Sequence, residues 1–450
     1  MLQRTPNFKF GMVLCVLAGL GMTRGLNAGV PEPPETEWKK FETKLIPLNP
    51  SRPAKSPGLY DRGLLHVLTF PPNGAPVDTG LPHAGNDKAG KPRPPILGRF
   101  VQDHIWIDFD GDGKQDLDEV RRINSDGWSD VFSCELFYDD GTSGKYSFRM
   151  KTIVEKEKYA LVRAVAHTFE YNGKAITLLD DDGNGKYNDA GRDTVFVDGQ
   201  PACLLGKHMY LGDTLVEIIV HASGSTVEVR PAAKDLVLGA IDPFSKYEQP
   251  QKAENLKIHT LIFCGPQGSF AFDETHRLLK VPADAYDLTF GLFERANETM
   301  YVKKGEKTSF NVTGNVVTQI KWGGKVKVKF TLNSDGEEVT VSAPHFIGQL
   351  TEEYFPELGV RTLNCTARMS IVFKDKTRFD IDGYVQFGQK RFDFMPDGEF
   401  KPLIFRRYRT ISEEYEGSVE YTSGIIGRVE GRERLSFVYK KKEQNKSKVN

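Results

Sequence analysis

Two short acidic stretches restrict the path of this 450-residue chain more than any other feature. The first reads Asp108-Phe109-Asp110-Gly111-Asp112-Gly113-Lys114-Gln115-Asp116-Leu117-Asp118-Glu119. The second reads Asp180-Asp181-Asp182-Gly183-Asn184-Gly185-Lys186-Tyr187-Asn188-Asp189-Ala190-Gly191-Arg192-Asp193. Carboxylates at alternate positions on a chain turned tightly by glycine converge on one point, where they repel one another. Each stretch must therefore be a loop. Its acids are either solvated in a turn or neutralised by a cation that orders the segment as it binds.

The flanking residues say what kind of loop. Ile105, Ile107 and Phe109 alternate with His104, Trp106 and Asp108, so the chain enters the first loop as a strand with an apolar face on the core. The same alternation puts Trp106 on the side of Asp108. The second loop lies between residues 174–179 and 194–197, both strand-like. Helical periodicity is confined to Leu117 to Asn124 and, more weakly, Leu350 to Phe355. The expected fold class is mainly β, with several β-sandwich-like domains in series and few helices.

With oxygen donors at positions 1, 3, 5 and 9, Gly at 6 and Glu at 12, the first loop resembles an EF-hand-type calcium loop. The resemblance assigns side-chain ligands to Asp108, Asp110, Asp112, Asp116 and Glu119, and a backbone carbonyl to Lys114. In the second loop it assigns Asp180, Asp182, Asn184 and Asn188, with the Lys186 carbonyl. There Gly191 stands where the bidentate Glu belongs, so Asp189 or Asp193 must supply the missing carboxylate, and this is expected to be the weaker site. Set between strands, both loops are similar to the calcium loops of exported bacterial repeat and adhesion proteins. That likeness implies Ca²⁺ ions that stiffen β connections, not a sensor that swings helices.

The rest of the chain divides by composition. Arg4 and Lys9 precede an apolar run from Gly11 to Met22, the pattern of a cleavable leader over residues 1–28, and the run is shorter than the roughly 20 residues needed to span a bilayer. The mature chain is expected to be secreted, periplasmic or displayed at the cell surface, with no transmembrane span. Fourteen of the 25 prolines fall between Val30 and Pro95, marking residues 29–95 as a linker or irregular segment. Strand patterns then fill 96–231, with both loops, then 232–324 and 325–440, and residues 441–450 form a polar cationic tail expected to fray. The stretch Val281-Pro282-Ala283-Asp284-Ala285-Tyr286-Asp287-Leu288, with the strand ending at Trp322, resembles the small immunoglobulin-like regulatory modules of exported bacterial proteins. This implies a packing or binding module in 232–324, not a catalytic one.

Charge and motifs narrow the function. Lys and Arg number 60 against 61 Asp and Glu, so no overall field draws the chain to nucleic acid. His-Glu-x-x-His, Gly-x-Ser-x-Gly and phosphate-loop patterns are absent from the sequence. The alternatives to a calcium-binding structural protein are a hydrolase using two distant carboxylates, which leave no local signature, and a module for cell-surface polysaccharide or protein. Trp128 is the loop-placed tryptophan that such a module would use. Cys134, Cys203, Cys264 and Cys365 have neither zinc nor redox spacing. Outside the cytosol they allow one or two disulfides, and the sequence leaves the pairing open.

Overall fold

The computed structural model describes residues 37–48, 66–72, 74–83, 92–101, 103–152, 158–250, 255–296, 298–334, 338–356, 365–372, 388–391, 402–406 and 414–436. The expected leader and tail lie outside the described residues, as does part of the proline-rich segment. The regular secondary structure among the described residues is β throughout. The expectation of a mainly β chain holds, but both helical readings fail. Val120–Arg122 is a strand inside Leu117 to Asn124, and the strand Glu353–Pro356 overlaps the end of Leu350 to Phe355. In each case a sheet partner satisfies the backbone and outweighs a short local period.

Among the described residues the largest sheet has 12 strands, and its order explains much of the architecture. It runs Lys39–Glu42, Thr226–Pro231, Thr214–Val220, His208–Leu211, Gly268–Phe272, Lys257–Gly265, Ala285–Arg295, Glu298–Lys303, Glu353–Pro356, His345–Ile347 and Lys327–Lys329, with Ser309–Asn311 beside Ala285–Arg295. Its hydrogen bonds therefore pass across residues 231/232 and 324/325. The middle strands are buried on both faces. Ile262, Ala271, Leu292 and Tyr301 pack into one core, while their neighbours Leu261, Phe263, Phe272, Phe293, Met300 and Val302 pack into a second. Alternate side chains of a strand point to opposite faces, so a sheet shared by two cores needs unbroken apolar runs such as Leu261-Ile262-Phe263. Each such side chain contributes about 1.5–3 kcal/mol by burial.

Three smaller sheets surround the acidic loops. One holds Val77–Asp78, Leu97–Val101, His104–Asp108 and Val120–Arg122; a second holds Val67–Thr69, Lys158–Arg163, Ser143–Thr152 and Phe132–Phe137. The third runs Cys203–Leu204, Thr194–Val197, Lys174–Leu179, Val165–Tyr171 and Lys44–Pro47. No helix among the described residues is long and apolar enough to cross a membrane.

Candidate metal centres

The first loop connects two neighbouring antiparallel strands, His104–Asp108 and Val120–Arg122, with Trp106 opposite Val120. Its acids sit where the strand ends and the chain must turn. Gly111 and Gly113 both take φ of 75°, a left-handed conformation that a side chain resists, and so bend the chain around Asp108. The Gly111 amide donates to Asp108 Oδ1 at 2.7 Å and the Gly113 amide to Oδ2 at 3.2 Å. Asp110 and Asp112 cap the amides two residues on, at 3.0 and 2.7 Å. Asp108, Asp110 and Asp112 each bring a carboxylate oxygen within 4.8 Å of the others, a group that can hold a metal ion. Asp108 is buried; Asp110 and Asp112 face solvent.

Asp116 and Glu119 do not join that trio. Both oxygens of Glu119 are engaged, Oε2 by the Trp106 indole N–H at 3.0 Å and Oε1 by the Phe109 amide at 2.7 Å. Burial pushes the Glu119 carboxyl above its ordinary range, against the pull of those two donors. The side chain read as the bidentate ligand thus closes the base of the loop. Trp106 does lie on the loop side of its strand, as its alternation with Ile105 and Ile107 implied. The Lys114 ammonium lies 2.8 Å from Asp112 Oδ2 in solvent.

The second loop joins Lys174–Leu179 to Thr194–Val197, with Leu179 opposite Thr194. Here the trio is Asp180, Asp182 and Asp193, again within 4.8 Å, but all three are buried, at 0, 4 and 2% exposure. Asp180 Oδ1 accepts from the Gly183 amide at 2.8 Å, and Oδ2 from the Gly185 amide at 2.8 Å and the Tyr146 hydroxyl at 2.6 Å. Asp193 takes the amides of Asp181 and Asp189, at 3.2 and 2.8 Å. Of the two acids left open by the sequence, Asp193 joins the trio, whereas Asp189 accepts from the Asn184 side-chain amide at 2.6 Å. Asn184 Oδ1 receives the Lys186 amide at 2.8 Å, and Asn188 is exposed.

Charge in this loop is not balanced. Arg163 and Asp181 form a buried ion pair at 2.6 Å, with Thr194 also donating to Asp181, so that guanidinium pairs with an acid outside the trio while its charge also favours the ionised form of Asp180. Among the described residues, the ion-pair partner of the trio is Arg192, which is mostly exposed and 3.5 Å from Asp182. Burial first, and then the charges of the neighbouring acids, raise the Asp180 and Asp193 carboxyls well above the ordinary range. The Tyr187 hydroxyl is buried with no hydrogen-bond partner among the described residues and feels the charges of Asp180 and Asp193. The three carboxyl groups bring hard oxygen donors within 4.8 Å of one another, a set suited to a divalent cation.

Sequence spacing does not reveal Tyr146, Arg163 or Tyr187. Arg163 carried a usable signal, because an arginine inside the apolar run Tyr159 to Val165 must be paired if buried. Among the described residues, the buried acid outside the two loops is Glu352. It accepts from the amides of Gly323 and Leu350, at 2.8 and 2.7 Å, and from the Tyr354 hydroxyl at 3.2 Å, which makes it a tie between turns.

No protein-family model matches this sequence, and no curated protein is detectably similar to it.

Proposed function

We propose that the chain is an exported structural protein that binds calcium in both aspartate loops, with the buried Asp180–Asp193 loop as its principal site. The observation that carries this reading is the buried trio Asp180, Asp182 and Asp193, whose ion-pair partner among the described residues is the exposed Arg192. Two ionised carboxylates 4.8 Å apart repel by about 3.5 kcal/mol at an effective dielectric of about 20. A divalent cation reverses that sign for every pair. Calcium suits the site better than magnesium, because it accepts six to eight oxygens in irregular geometry, and this loop mixes carboxylate, amide and backbone oxygens.

The surroundings support a structural role. Through its backbone, the second loop bonds to residues that adjoin strands of two sheets, the one with Val67–Thr69 and Phe132–Phe137 and the 12-stranded one. The His66 amide donates to the Asp182 carbonyl at 2.9 Å, the Tyr138 hydroxyl to the Gly185 carbonyl at 2.8 Å, and the Tyr187 amide to the Ala222 carbonyl at 3.0 Å. An ion at the trio would fix a junction between these layers. The first loop, with two of its three acids in solvent, would stiffen one connection and bind more weakly, near the millimolar range of extracellular modules. The order of affinity is thus opposite to that expected from the position of Glu119.

Isothermal calorimetry of the mature chain, after chelation and dialysis, tests this reading. Two calcium-binding phases are expected, the tighter one lost in Asp182→Asn and the weaker one in Asp110→Asn. A flat titration to several millimolar calcium would end the proposal.

A further inference from the structure

Cys203 and Cys264 are separated by sixty residues of sequence and meet at a single hydroxyl. Cys203 opens the edge strand Cys203–Leu204 of the five-stranded sheet; Cys264 lies on Lys257–Gly265 in the 12-stranded one. Ser269, directly opposite Cys264 in the register, places its Oγ 3.2 Å from Cys264 Sγ and 3.4 Å from Cys203 Sγ. Two further features hold the sheets together here. Thr260 Oγ1 donates to the Ala202 carbonyl at 2.8 Å, and a Cβ at Gly206 would come within 2.4 Å of the Ser269 amide nitrogen, so the chain after Cys203 lies directly on the strand that carries Ser269. A partly open cavity of about 140 Å³, lined by Cys203, Ser269, Gln200, Tyr210 and His276, leads to this point. All four cysteines of the described residues are free thiols.

We propose that Cys203 and Cys264 are a cross-linking site, at which exchange with a small disulfide of the glutathione class forms one intramolecular disulfide between the two sheets. Cys203, reached through the cavity, loses its proton and attacks one donor sulfur. The donor S–S bond breaks, and its other sulfur leaves as a thiolate that takes up the proton. Cys264, deprotonated in turn, attacks Cys203 Sγ in the mixed disulfide and expels the second donor thiol. Two protein thiols are oxidised and one donor disulfide is reduced to two thiols. For the bond to close, the Ser269 hydroxyl must rotate aside, while the Thr260 and Gly206 contacts hold the two strands against each other. Burial holds the Cys203 thiol up at about 12 and raises that of Cys264, so the exchange is slow at neutral pH and quickens about tenfold per pH unit below that value. An oxidising compartment preserves the bond once formed. The site is independent of the aspartate loops.

The test uses the full chain incubated with oxidised glutathione in native buffer at stepped pH, then denatured, alkylated and mapped by peptide mass spectrometry. The expected result is one linked pair of peptides containing Cys203 and Cys264, forming faster as pH rises, while Cys134 and Cys365 remain alkylatable. In Cys264→Ser the reaction should stop with glutathione on Cys203. Refolding the chain from denaturant in a glutathione redox buffer removes access as a barrier, and the same pair should link there. The inference is overturned if both thiols stay alkylatable in both experiments, if glutathione accumulates on wild-type Cys203 without a cross-link, or if Cys134 or Cys365 is the partner instead.

Discussion

Replacing Asp182 with Asn separates a bound ion from a mere cluster of acids, because it acts in opposite directions with and without calcium. Asp182 lies within 4.8 Å of both Asp180 and Asp193. Two repulsions of about 3.5 kcal/mol each at an effective dielectric of about 20 set the upper bound on what neutralising it relieves. Burial raises the Asp180 carboxyl to about 7 and that of Asp193 as well, which already relieves part of this repulsion in the wild type, so the expected gain in chelator is smaller, about 1–2 kcal/mol, and less than the loss in calcium. Asn keeps an oxygen for the Asn184 amide, which Asp182 Oδ1 accepts at 3.2 Å. In excess calcium, one of three anionic ligands is missing, and affinity should fall on the order of a hundredfold, about 2.7 kcal/mol. Thermal unfolding followed by near-ultraviolet circular dichroism, with chelator and then with calcium, reads both arms. Asp182→Asn should melt above wild type in chelator, by about 2–4 °C per kcal/mol, and below it in calcium. Equal shifts in the two buffers would refute the reasoning.

The other predictions address separate parts of the molecule. Trp106 donates to Glu119 at the base of the first loop, so terbium luminescence excited through tryptophan should report that loop, vanishing in Asp110→Ala and surviving in Asp182→Ala; an equal response in both variants would show that the loops are assigned wrongly. Arg163→Met leaves Asp181 buried without its partner and should cost about 3–5 kcal/mol in urea unfolding; a loss below 1 kcal/mol would mean that the pair is not structural. Burial lowers the His167 imidazole from 6.5 to about 4, so as pH falls from 6.5 the unfolded chain takes up a proton that the folded chain refuses. Stability should drop by about 3 kcal/mol between pH 6.5 and 4 through this group and level off below. Urea midpoints of His167→Gln that fall with pH as steeply as those of wild type would contradict this.

Local information was enough for the fold class and for the placing of both loops. Alternation around Asp108 and Asp180 dictates strands on either side, and carboxylates spaced by glycines dictate a turn, since these are consequences of backbone geometry and charge over a dozen residues. Which loop is buried, and which acids meet, depends on packing between segments far apart in the chain. Glu119 stands at the expected position in sequence, but the Trp106 indole and the Phe109 amide occupy both of its oxygens. Asp193 lies two residues past that position in its own loop, yet the pairing of Leu179 with Thr194 brings it beside Asp180 and Asp182. Burial of the second loop comes from Tyr146, Arg163 and Tyr187, whose neighbours are set by sheet stacking and not by local pattern. The two-faced central sheet was hidden for a related reason: a strand buried on both sides reads as an unbroken apolar run, and only the second core shows what its other face was for.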